Sequence, residues 1–286
     1  MIQKYKAFLL TVELGNFTKA AEHLNYTQSG VSRMIQDLER EWGIVLFERK
    51  KGGIALTKDG EALIPQLKRI CNEHDMLLQQ IHSLKNVESG IIRIGTFSSV
   101  ATHWLPLMIK RFKVDYPNVD FELLLGDYKE IEQWIVDGRV DFGFLGGPIV
   151  REMETIFVER DRLLVVLPCN HPYADAPVFP VAGLSESPFM LLEKGENDVI
   201  SSIFVEHGIE PEVHFKTWDD YAIMSMVENE LGISILPELI LKRNPYNVVV
   251  KELEVPLFRE IRVGLRNEAT LSVAAKRFLT YLPYRT

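Results

Sequence analysis

A stripe of polar side chains that contains no acid lies along one face of a helix predicted near the start of the chain. At 100° per residue, Ser29, Ser32, Arg33, Gln36 and Arg40 fall on one side and apolar residues fall on the other. Hydroxyl, amide and guanidinium groups hydrogen-bond to base edges and phosphates in a DNA major groove. A solvated helix face carries the same groups, so the stripe alone leaves both interpretations open.

The elements before this helix favour the DNA interpretation. A first apolar helical pattern ends at Gly15, and a short second helix is expected to begin at Thr18. Asn25 and Tyr26 make a turn, after which Thr27 caps the helix that carries the stripe. A short helix, a tight turn and a longer helix predict a helix-turn-helix, in which the N-terminal end of the second helix enters the groove.

A basic, glycine-rich hairpin is predicted directly after the third helix. Two short apolar strands flank a tip that carries Arg49, Lys50 and Lys51, followed by two glycines. Clustered cations at such a tip favour contact with a phosphate-rich surface. The alternative is a hairpin tip that only meets solvent.

The segment over residues 17–64 resembles the N-terminal domain of LysR-type transcriptional regulators. The matching positions are Phe17, Thr18, Ala20, Ala21, Leu24, Gln28, Val31, Ser32, Ile35, Leu38, Glu39, Gly43, Leu46, Phe47, Arg49, Leu56, Thr57, Gly60 and Glu61. Gly30 and Trp42 depart from the usual alanine and leucine of the family.

The resemblance implies a winged helix-turn-helix and a set of contacts to DNA. It assigns base or phosphate contacts to Gln28, Ser29, Ser32 and Arg33, and a wing contact to Arg49. Thr18 is expected to meet a phosphate through the free N–H groups of a helix N-terminus. The predicted DNA-binding residues are these six together with Gln36 and Lys50.

The charge distribution agrees with a DNA-binding head. Residues 1–69 carry 11 Lys and Arg against 8 Asp and Glu, a net charge of +3, whereas the 286-residue chain carries −8. The rest of the chain is therefore acidic and is repelled by phosphates, which confines the expected DNA contact to the head.

A long helix is predicted from Lys58 to about Lys85. Apolar residues recur there in steps of four and three over three heptads, with His74 as the polar exception: Leu63, Leu67, Ile70, Leu77, Ile81 and Leu84. This is the spacing of a coiled-coil seam, so we expect the chain to dimerise through it. His74 has two interpretations. It sets the register of the two helices or senses pH, or it is an ordinary hydrogen-bonded histidine of the interface.

From residue 91 onwards strands alternate with helices, which predicts βαβ units and a parallel sheet. Strands are expected at 91–96, 119–125, 141–145, 163–167, 189–192, 213–217, 233–236 and 261–265, and helices at 101–115, 128–137, 198–207, 221–229 and 271–282. The pattern resembles the family's effector domain, a periplasmic-binding-protein-like pair of subdomains joined by two crossover strands.

The predicted fold class is thus α/β overall, with three parts. A winged helix-turn-helix occupies residues 1–58, a linker and dimerisation helix 59–88, and an effector-binding domain 91–286. Within the last, subdomain I covers about 91–161 and 267–286, and subdomain II about 162–266.

Ligands of such folds bind between subdomains, at the C-terminal ends of strands and the N-termini of helices. Ser98 and Ser99 follow the first strand, Thr217 follows the matching strand of the second half, and Gly146 lies at the expected hinge. We predict these four as effector contacts, with a small anion as one candidate effector. The serines are also consistent with simple helix capping.

Other functional classes are less well supported by the sequence. No G-x-S-x-G elbow, nucleotide-binding glycine loop or H-E-x-x-H spacing is present, so no enzyme, cofactor or metal site is predicted. Cys71 and Cys169 are expected to be reduced apolar fillers, with a redox pair as the unsupported alternative. A solute-binding receptor would fit the body but not the head.

The expected partners are promoter DNA, a small effector and a second copy of the chain. A tetramer follows from the resemblance alone, and RNA polymerase is a further candidate partner. No apolar run has the length of a membrane span and no signal peptide is recognisable, so a cytoplasmic location is expected.

Overall fold

The computed structural model describes residues 1–50, 53–85, 89–192, 199–206 and 208–286. The chain divides into two compact units, Met1–Ile81 with Asp137–Arg139, and His82–Val136 with Val140–Thr286. The first unit contains α1 Ile2–Leu14, α2 Phe17–Leu24, α3 Gln28–Trp42, β1 Phe47–Lys50, β2 Gly53–Leu56 and most of α4, Lys58–Lys85.

Local signals set the boundaries of the first three helices. Gly15 ends α1 in the left-handed conformation at φ 62°, and Asn25 ends α2 at φ 56°. The Thr27 hydroxyl accepts a hydrogen bond from the Gly30 N–H at 3.1 Å and so caps α3, as predicted. Helix α2 begins at Phe17, one residue before the predicted start at Thr18, and Asn16 caps it because its Oδ1 accepts hydrogen bonds from the N–H groups of Thr18 and Lys19.

The core of the head is formed where the three helices meet. Phe8, Val31, Ile35 and Leu38 are fully buried or nearly so. Ala20 and Ala21 are buried too, and their short side chains let α2 approach its neighbours closely. The apolar face of α3 therefore packs inward, which leaves its polar stripe on the outside.

The predicted seam of α4 is only partly exposed. Leu67 is buried and Leu63 is half-buried, and both pack into the core of the head. Ile70, Leu77 and Ile81 are exposed at 43%, 53% and 41%. The expectation of a free apolar stripe from Leu63 was therefore wrong for the first two positions, because the head itself covers them.

The second unit contains an alternating series of helices and strands. The helices are α5 Ser98–His103, α6 Leu105–Asp115, α7 Tyr128–Val136, α8 Val199–Glu206, α9 Asp220–Glu228, α10 Glu238–Leu241 and α11 Val273–Leu279. The strands are β3 Ser89–Thr96, β4 Asn118–Leu125, β5 Phe142–Leu145, β6 Glu154–Pro168, β7 Phe189–Leu192, β8 Val213–Thr217, β9 Ser234–Pro237, β10 Val248–Lys251 and β11 Leu257–Leu265.

The main sheet is mixed, so the prediction of a parallel sheet was only partly right. Strand β3 pairs in parallel with β4 and β5, as βαβ units require. Strand β11, however, runs antiparallel to both β5 and β6, and β9 and β10 also pair antiparallel with β6. Strands β7 and β8 form a separate parallel pair.

Two long strands connect the apolar cores of the second unit. Strand β6 has 15 residues and β11 has nine, and they pair along the whole length of β11. Leu163 and Leu257 pack in one of these cores, whereas Ile261 and Val263 pack in another. Residues between these positions therefore lie where the chain passes from one core to the other.

Candidate nucleic-acid interface and ligand cleft

The outer face of α3 presents the polar side chains that the sequence analysis selected. Gln28, Ser29, Arg33 and Gln36 are exposed and Ser32 is half-buried. The Ser29 hydroxyl lies 3.2 Å from the hydroxyl of Thr27. The other four side chains form no hydrogen bond or ion pair within the described part of the chain, so their donors and acceptors are free for a partner.

Arg33 is a cation of this face that forms no ion pair with any described residue. Asp37 pairs with Arg40 and lies 3.5 Å from the ammonium group of Lys4. Asp37, which lies one turn after Arg33, is thus already paired with cations of its own unit. An approaching phosphate would meet a positive charge at Arg33 without a competing carboxylate ion pair.

Thr18 differs from its expected role in one respect. Its backbone N–H donates to Asn16 Oδ1 at 2.7 Å, so that N–H is not free for a phosphate as we had expected. The residue is exposed, and its hydroxyl forms no hydrogen bond with any described residue. A phosphate contact at Thr18 would therefore use the hydroxyl.

Glu39 fixes the start of the hairpin against α3. Its Oε1 accepts hydrogen bonds from the N–H groups of Leu46 at 2.7 Å and Phe47 at 3.2 Å. The Thr57 hydroxyl donates to the Val45 carbonyl at 2.7 Å from the other end of the hairpin. The two bonds from Glu39 hold the start of the hairpin against α3, and the Thr57 bond holds the end of the hairpin to its start.

The predicted wing contacts fall at the tip of this hairpin. Arg49 and Lys50 belong to β1, and their backbone pairs with Ile54 and Gly53 of β2. Their side chains lie outside the described part of the chain, as does the whole of Lys51.

A buried arginine organises the region where the two long strands of the second unit pass between the cores. Arg259 of β11 is 4% exposed. Its Nε and Nη2 both donate to Asp161 Oδ2, at 2.9 and 2.7 Å. Nη2 also donates to the Ser99 hydroxyl at 2.7 Å, and Nη1 donates to the Tyr128 hydroxyl at 3.0 Å.

This network ties together five separate elements. Asp161 belongs to β6, and its second oxygen accepts from the Leu239 N–H of α10 at 3.0 Å. Ser99 comes from α5, Tyr128 from α7 and Arg259 from β11. The guanidinium also lies 4.9 Å from the centre of the Phe97 ring, which is a cation–π distance.

Burial and pairing act in opposite directions on the protonation of this pair. Burial raises the pKa of the Asp161 carboxyl above its ordinary value, and the adjacent guanidinium lowers it again in part. Burial also lowers the pKa of Arg259, but Tyr128 and Asp161 raise it further than burial lowers it. The guanidinium therefore keeps its positive charge in a nearly dry environment.

A small cavity adjoins this arginine. Its lining includes Tyr128, Gly146, Leu163, Pro237 and Arg259, and its volume is about 20 Å³. That volume accommodates about one water molecule. Four of the five N–H groups of Arg259 have described acceptors, which leaves one on Nη1 for an occupant of the cavity.

The four predicted effector contacts separate into two groups. Ser99 accepts a hydrogen bond from Arg259 and Gly146 lines the small cavity beside it, so both belong to the site around Arg259. Ser98 is half-buried, and its hydroxyl forms no hydrogen bond within the described part of the chain. The Thr217 hydroxyl accepts from the Asp219 N–H at 3.2 Å, and Thr217 does not line this cavity.

The sequence analysis missed Arg259, Asp161 and Tyr128. A signal for Arg259 was available, because alternate positions of β11 face inward and Leu257, Ile261 and Val263 share its side of the strand. A charged residue at an inward position marks a paired or functional site.

Comparison with known proteins shows which family this chain resembles. A family model described as a bacterial regulatory helix-turn-helix protein of the lysR family matches residues 2–61. A second, described as the LysR substrate binding domain, matches residues 85–285.

Two curated relatives match almost the entire chain. The regulator YvbU of Bacillus subtilis is 30% identical over 281 residues, 97% of this chain and 96% of its own length. The probable regulator LrrA of Synechococcus elongatus is 32% identical over 283 residues, 98% of this chain and 96% of its own.

Solved structures share the fold over the full length. CbnR, a LysR family transcriptional regulator, aligns with a TM-score of 0.76 at 20% identity, covering 100% of this chain and 99% of its own. CbnR in complex with its target DNA aligns equally well, with 100% of both chains covered. Among the described residues, no helix is long and apolar enough to span a membrane.

Proposed function

Because the chain belongs to the LysR family of bacterial transcriptional regulators, we propose that it binds promoter DNA through the exposed face of α3 and responds to a small anion at Arg259. The observation that supports the DNA assignment is the set of unpaired side chains on that face. The observation that supports the effector assignment is a buried cation beside a cavity with one N–H group to spare.

The DNA contacts are assigned from the position of each side chain. Gln28, Ser29, Ser32 and Arg33 lie in the first turns of α3, the end that enters the major groove in helix-turn-helix proteins. Gln36 lies one turn further on, and Thr18 contributes its hydroxyl from α2. Arg49 and Lys50 complete the interface from the wing, where cations contact the backbone or minor groove.

Dimerisation is assigned to the exposed part of α4. Ile70, Leu77 and Ile81 present an apolar stripe at coiled-coil spacing, and His74 lies among them with its side chain 34% exposed. Two heads held by one seam would read two half-sites, since a single stripe covers few base pairs. A tetramer and contact with RNA polymerase are further proposals, and the protein is proposed to work in the cytoplasm.

The domain limits proposed for this activity are 1–58 for DNA binding, 59–88 for the linker and 91–286 for the effector domain. The effector domain is proposed to act as two subdomains, about 91–161 with 267–286 and about 162–266. The candidate effector contacts are Ser98, Ser99, Gly146 and Thr217, with Arg259 and Tyr128 added from the geometry.

The proposed effector is an anion because Arg259 is a positively charged, buried group. One of its N–H groups has no acceptor among the described residues and can donate to the effector. A carboxylate or similar group can accept the remaining Nη1 N–H, and a second oxygen can take the place of the Ser99 or Tyr128 oxygen. The present cavity is too small for such a molecule, so binding must be accompanied by separation of the surrounding side chains.

The DNA assignment is tested by a gel shift with the promoter upstream of the gene and the variant Arg33→Ala. We expect a loss of about 1–3 kcal/mol in binding free energy, because Arg33 is unpaired in the free protein. Arg277→Ala, an exposed arginine at the end of α11 in the second unit, removes the same charge and serves as the control. Equal binding by both variants would refute the role of Arg33.

The effector assignment has a separate test. Once an anion that raises the thermal midpoint of the wild-type protein is found, Ser99→Ala should reduce that rise, since stabilisation follows the logarithm of ligand concentration over Kd. Thr217→Ala should leave it unchanged if the Arg259 cavity is the site. An undiminished rise in Ser99→Ala would contradict the proposed contact.

A further inference from the structure

A larger cavity lies on the opposite side of β11 from Arg259. Its volume is about 430 Å³, and it is lined by residues 146–149, which follow β5, and by Phe258, Glu260 and Arg262. The three β11 residues occupy alternate positions, so their side chains leave the strand on one face, whereas Arg259 leaves it on the other. The volume falls within the roughly 300–1,000 Å³ of sites that bind small molecules.

The charged side chains of this cavity form an ion pair that keeps hydrogen-bonding atoms free. Arg262 donates to Glu260 Oε2 from Nη2 at 2.6 Å and from Nε at 3.2 Å. Glu260 Oε1 and Arg262 Nη1 form no hydrogen bond within the described part of the chain. The two side chains are 52% and 36% exposed, so a ligand can reach both. The cavity therefore offers an acceptor and a donor of opposite charge side by side.

Aromatic rings on the same face hold the neighbouring cations in position. The Arg262 guanidinium lies 6.0 Å from the centre of the Phe157 ring, and the Arg160 guanidinium lies 4.0 Å from the centre of the Phe258 ring. Both are cation–π distances. Since Arg160 covers one face of the Phe258 ring, a ligand in the cavity would contact the other face or the edge of that ring.

The rest of the side-chain lining is apolar. An exposed ion pair on a strand indicates by itself only a solvated surface, since such pairs contribute little to stability. Here, however, the pair adjoins Pro148, Ile149 and the half-buried Phe258. A ligand that suits this cavity combines an apolar group with two adjacent charges of opposite sign. An α-amino acid has this composition, because its ammonium and carboxylate groups are attached to one carbon atom.

We propose that this cavity is a second ligand site, which binds a free α-amino acid with an apolar side chain. The carboxylate accepts a hydrogen bond from Arg262 Nη1, the ammonium group donates to Glu260 Oε1, and the side chain packs against Phe258. Glu260 repels a simple anion and Arg262 repels a simple cation, so the zwitterion is selected. The proposal does not depend on the effector role of Arg259, although Gly146 lines both cavities.

The site can be tested on the full-length protein with 4-fluoro-L-phenylalanine as the probe. The ¹⁹F line of this small molecule broadens when a fraction of it is bound to the protein. We expect a saturable broadening that L-phenylalanine reverses by competition. 3-Phenylpropionate lacks the ammonium group and phenethylamine lacks the carboxylate. Each should compete at least about tenfold more weakly, because one charge-assisted hydrogen bond is lost.

A matched pair of double variants locates the binding. Glu260→Gln with Arg262→Gln removes both charges of the cavity and should weaken binding of the probe at least about tenfold. Arg93→Gln with Glu122→Gln removes an ion pair of similar exposure, 28% and 55%, between β3 and β4, and should leave the affinity unchanged. Exposed pairs contribute little to stability, so both thermal midpoints should stay close to that of the wild type. Glu260→Gln alone is the milder variant and should weaken binding in the same direction.

Three outcomes would overturn the proposal. The first is a line width of the probe that shows no saturable change. The second is the same affinity in both double variants. The third is competition by 3-phenylpropionate as strong as that by L-phenylalanine, which would mean that the ammonium group is not recognised.

Ser99→Ala separates this site from the one at Arg259. Its hydroxyl belongs to the other face of β11, so the variant should keep the wild-type affinity for the probe. Weaker binding in Ser99→Ala, with full binding in the Glu260 and Arg262 double variant, would place the amino acid at Arg259 and would also overturn the proposal.

Discussion

Removal of the Arg259 side chain is the most informative perturbation of the second unit. Arg259→Met keeps most of the volume of the side chain and deletes its charge. Asp161, which is 6% exposed, would then retain a buried carboxylate with only the Leu239 N–H as a described donor. Breaking one half of a buried ion pair in this way costs about 3–5 kcal/mol.

The expected change is large enough to measure by thermal unfolding. For a unit of about 200 residues, 1 kcal/mol shifts the midpoint by about 2–4 °C, so Arg259→Met should lower it by about 6–20 °C. The transition of the second unit can be followed by the fluorescence of its tryptophans. A DNA-bound head is not needed, since Arg259 and its partners all belong to that unit.

The double variant Arg259→Met with Asp161→Leu distinguishes an uncompensated charge from lost packing. It removes both charges, so we expect it to recover most of the loss or to exceed the wild-type midpoint. A single variant within about 3 °C of wild type would refute the argument that this pair is dry and mutually dependent. A double variant as unstable as the single one would show that packing of the arginine stem, and not charge, dominates.

Three further predictions concern the wing, the surroundings of Arg259 and a buried carboxyl group. Glu39→Ala removes the acceptor for the Leu46 and Phe47 N–H groups, so DNA affinity should fall in a filter-binding assay, whereas Glu39→Gln should keep most of it. Gly146→Ala places a Cβ 2.5 Å from the Tyr128 hydroxyl oxygen, and should lower the thermal midpoint by displacing the partner of Arg259. Burial raises the pKa of the Asp141 carboxyl to about 6 in the folded protein, so ionisation of this group favours the unfolded chain. The free energy of unfolding should therefore decline as the pH rises from about 4 to 6. Asp141→Asn should remove most of that decline in urea unfolding curves.

The head was predictable in detail because its signals are local. Gly15, Asn25 and Thr27 end or cap helices through their own backbone or side chain, and the 3.6-residue period identified the inner face of α3. The start of α2 was predicted one residue too late, at Thr18, because the capping signal of Asn16 two residues earlier was overlooked.

The second unit was less predictable because its strands depend on distant partners. The first half of β6 contains Glu159, Arg160 and Asp161, so its pattern is not apolar and the strand was expected only from Leu163. The helix predicted over 101–115 is divided at Trp104, for which Pro106 was the available signal. Residues 198 and 207, the ends of another predicted helix, lie outside the described residues.

The charged residues that made the first half of β6 hard to predict include Asp161, which pairs with Arg259 beside the small cavity. Asp161 lies opposite Arg259 across the β6–β11 pair, and the two side chains form an ion pair. The sequence around either residue alone gives no sign of its partner, so neither role could be predicted from it. If the effector is an anion that binds at Arg259, as proposed, it must compete with hydrogen bonds that Arg259 already donates to Asp161, Ser99 and Tyr128. The site would then discriminate between ligands by the number of Arg259 donors that each ligand leaves unpaired. A buried donor without an acceptor costs binding free energy, so a ligand that leaves one unpaired is rejected strongly. A neutral molecule of the same shape would have to displace these oxygens without replacing their charge, and it should bind more weakly for that reason.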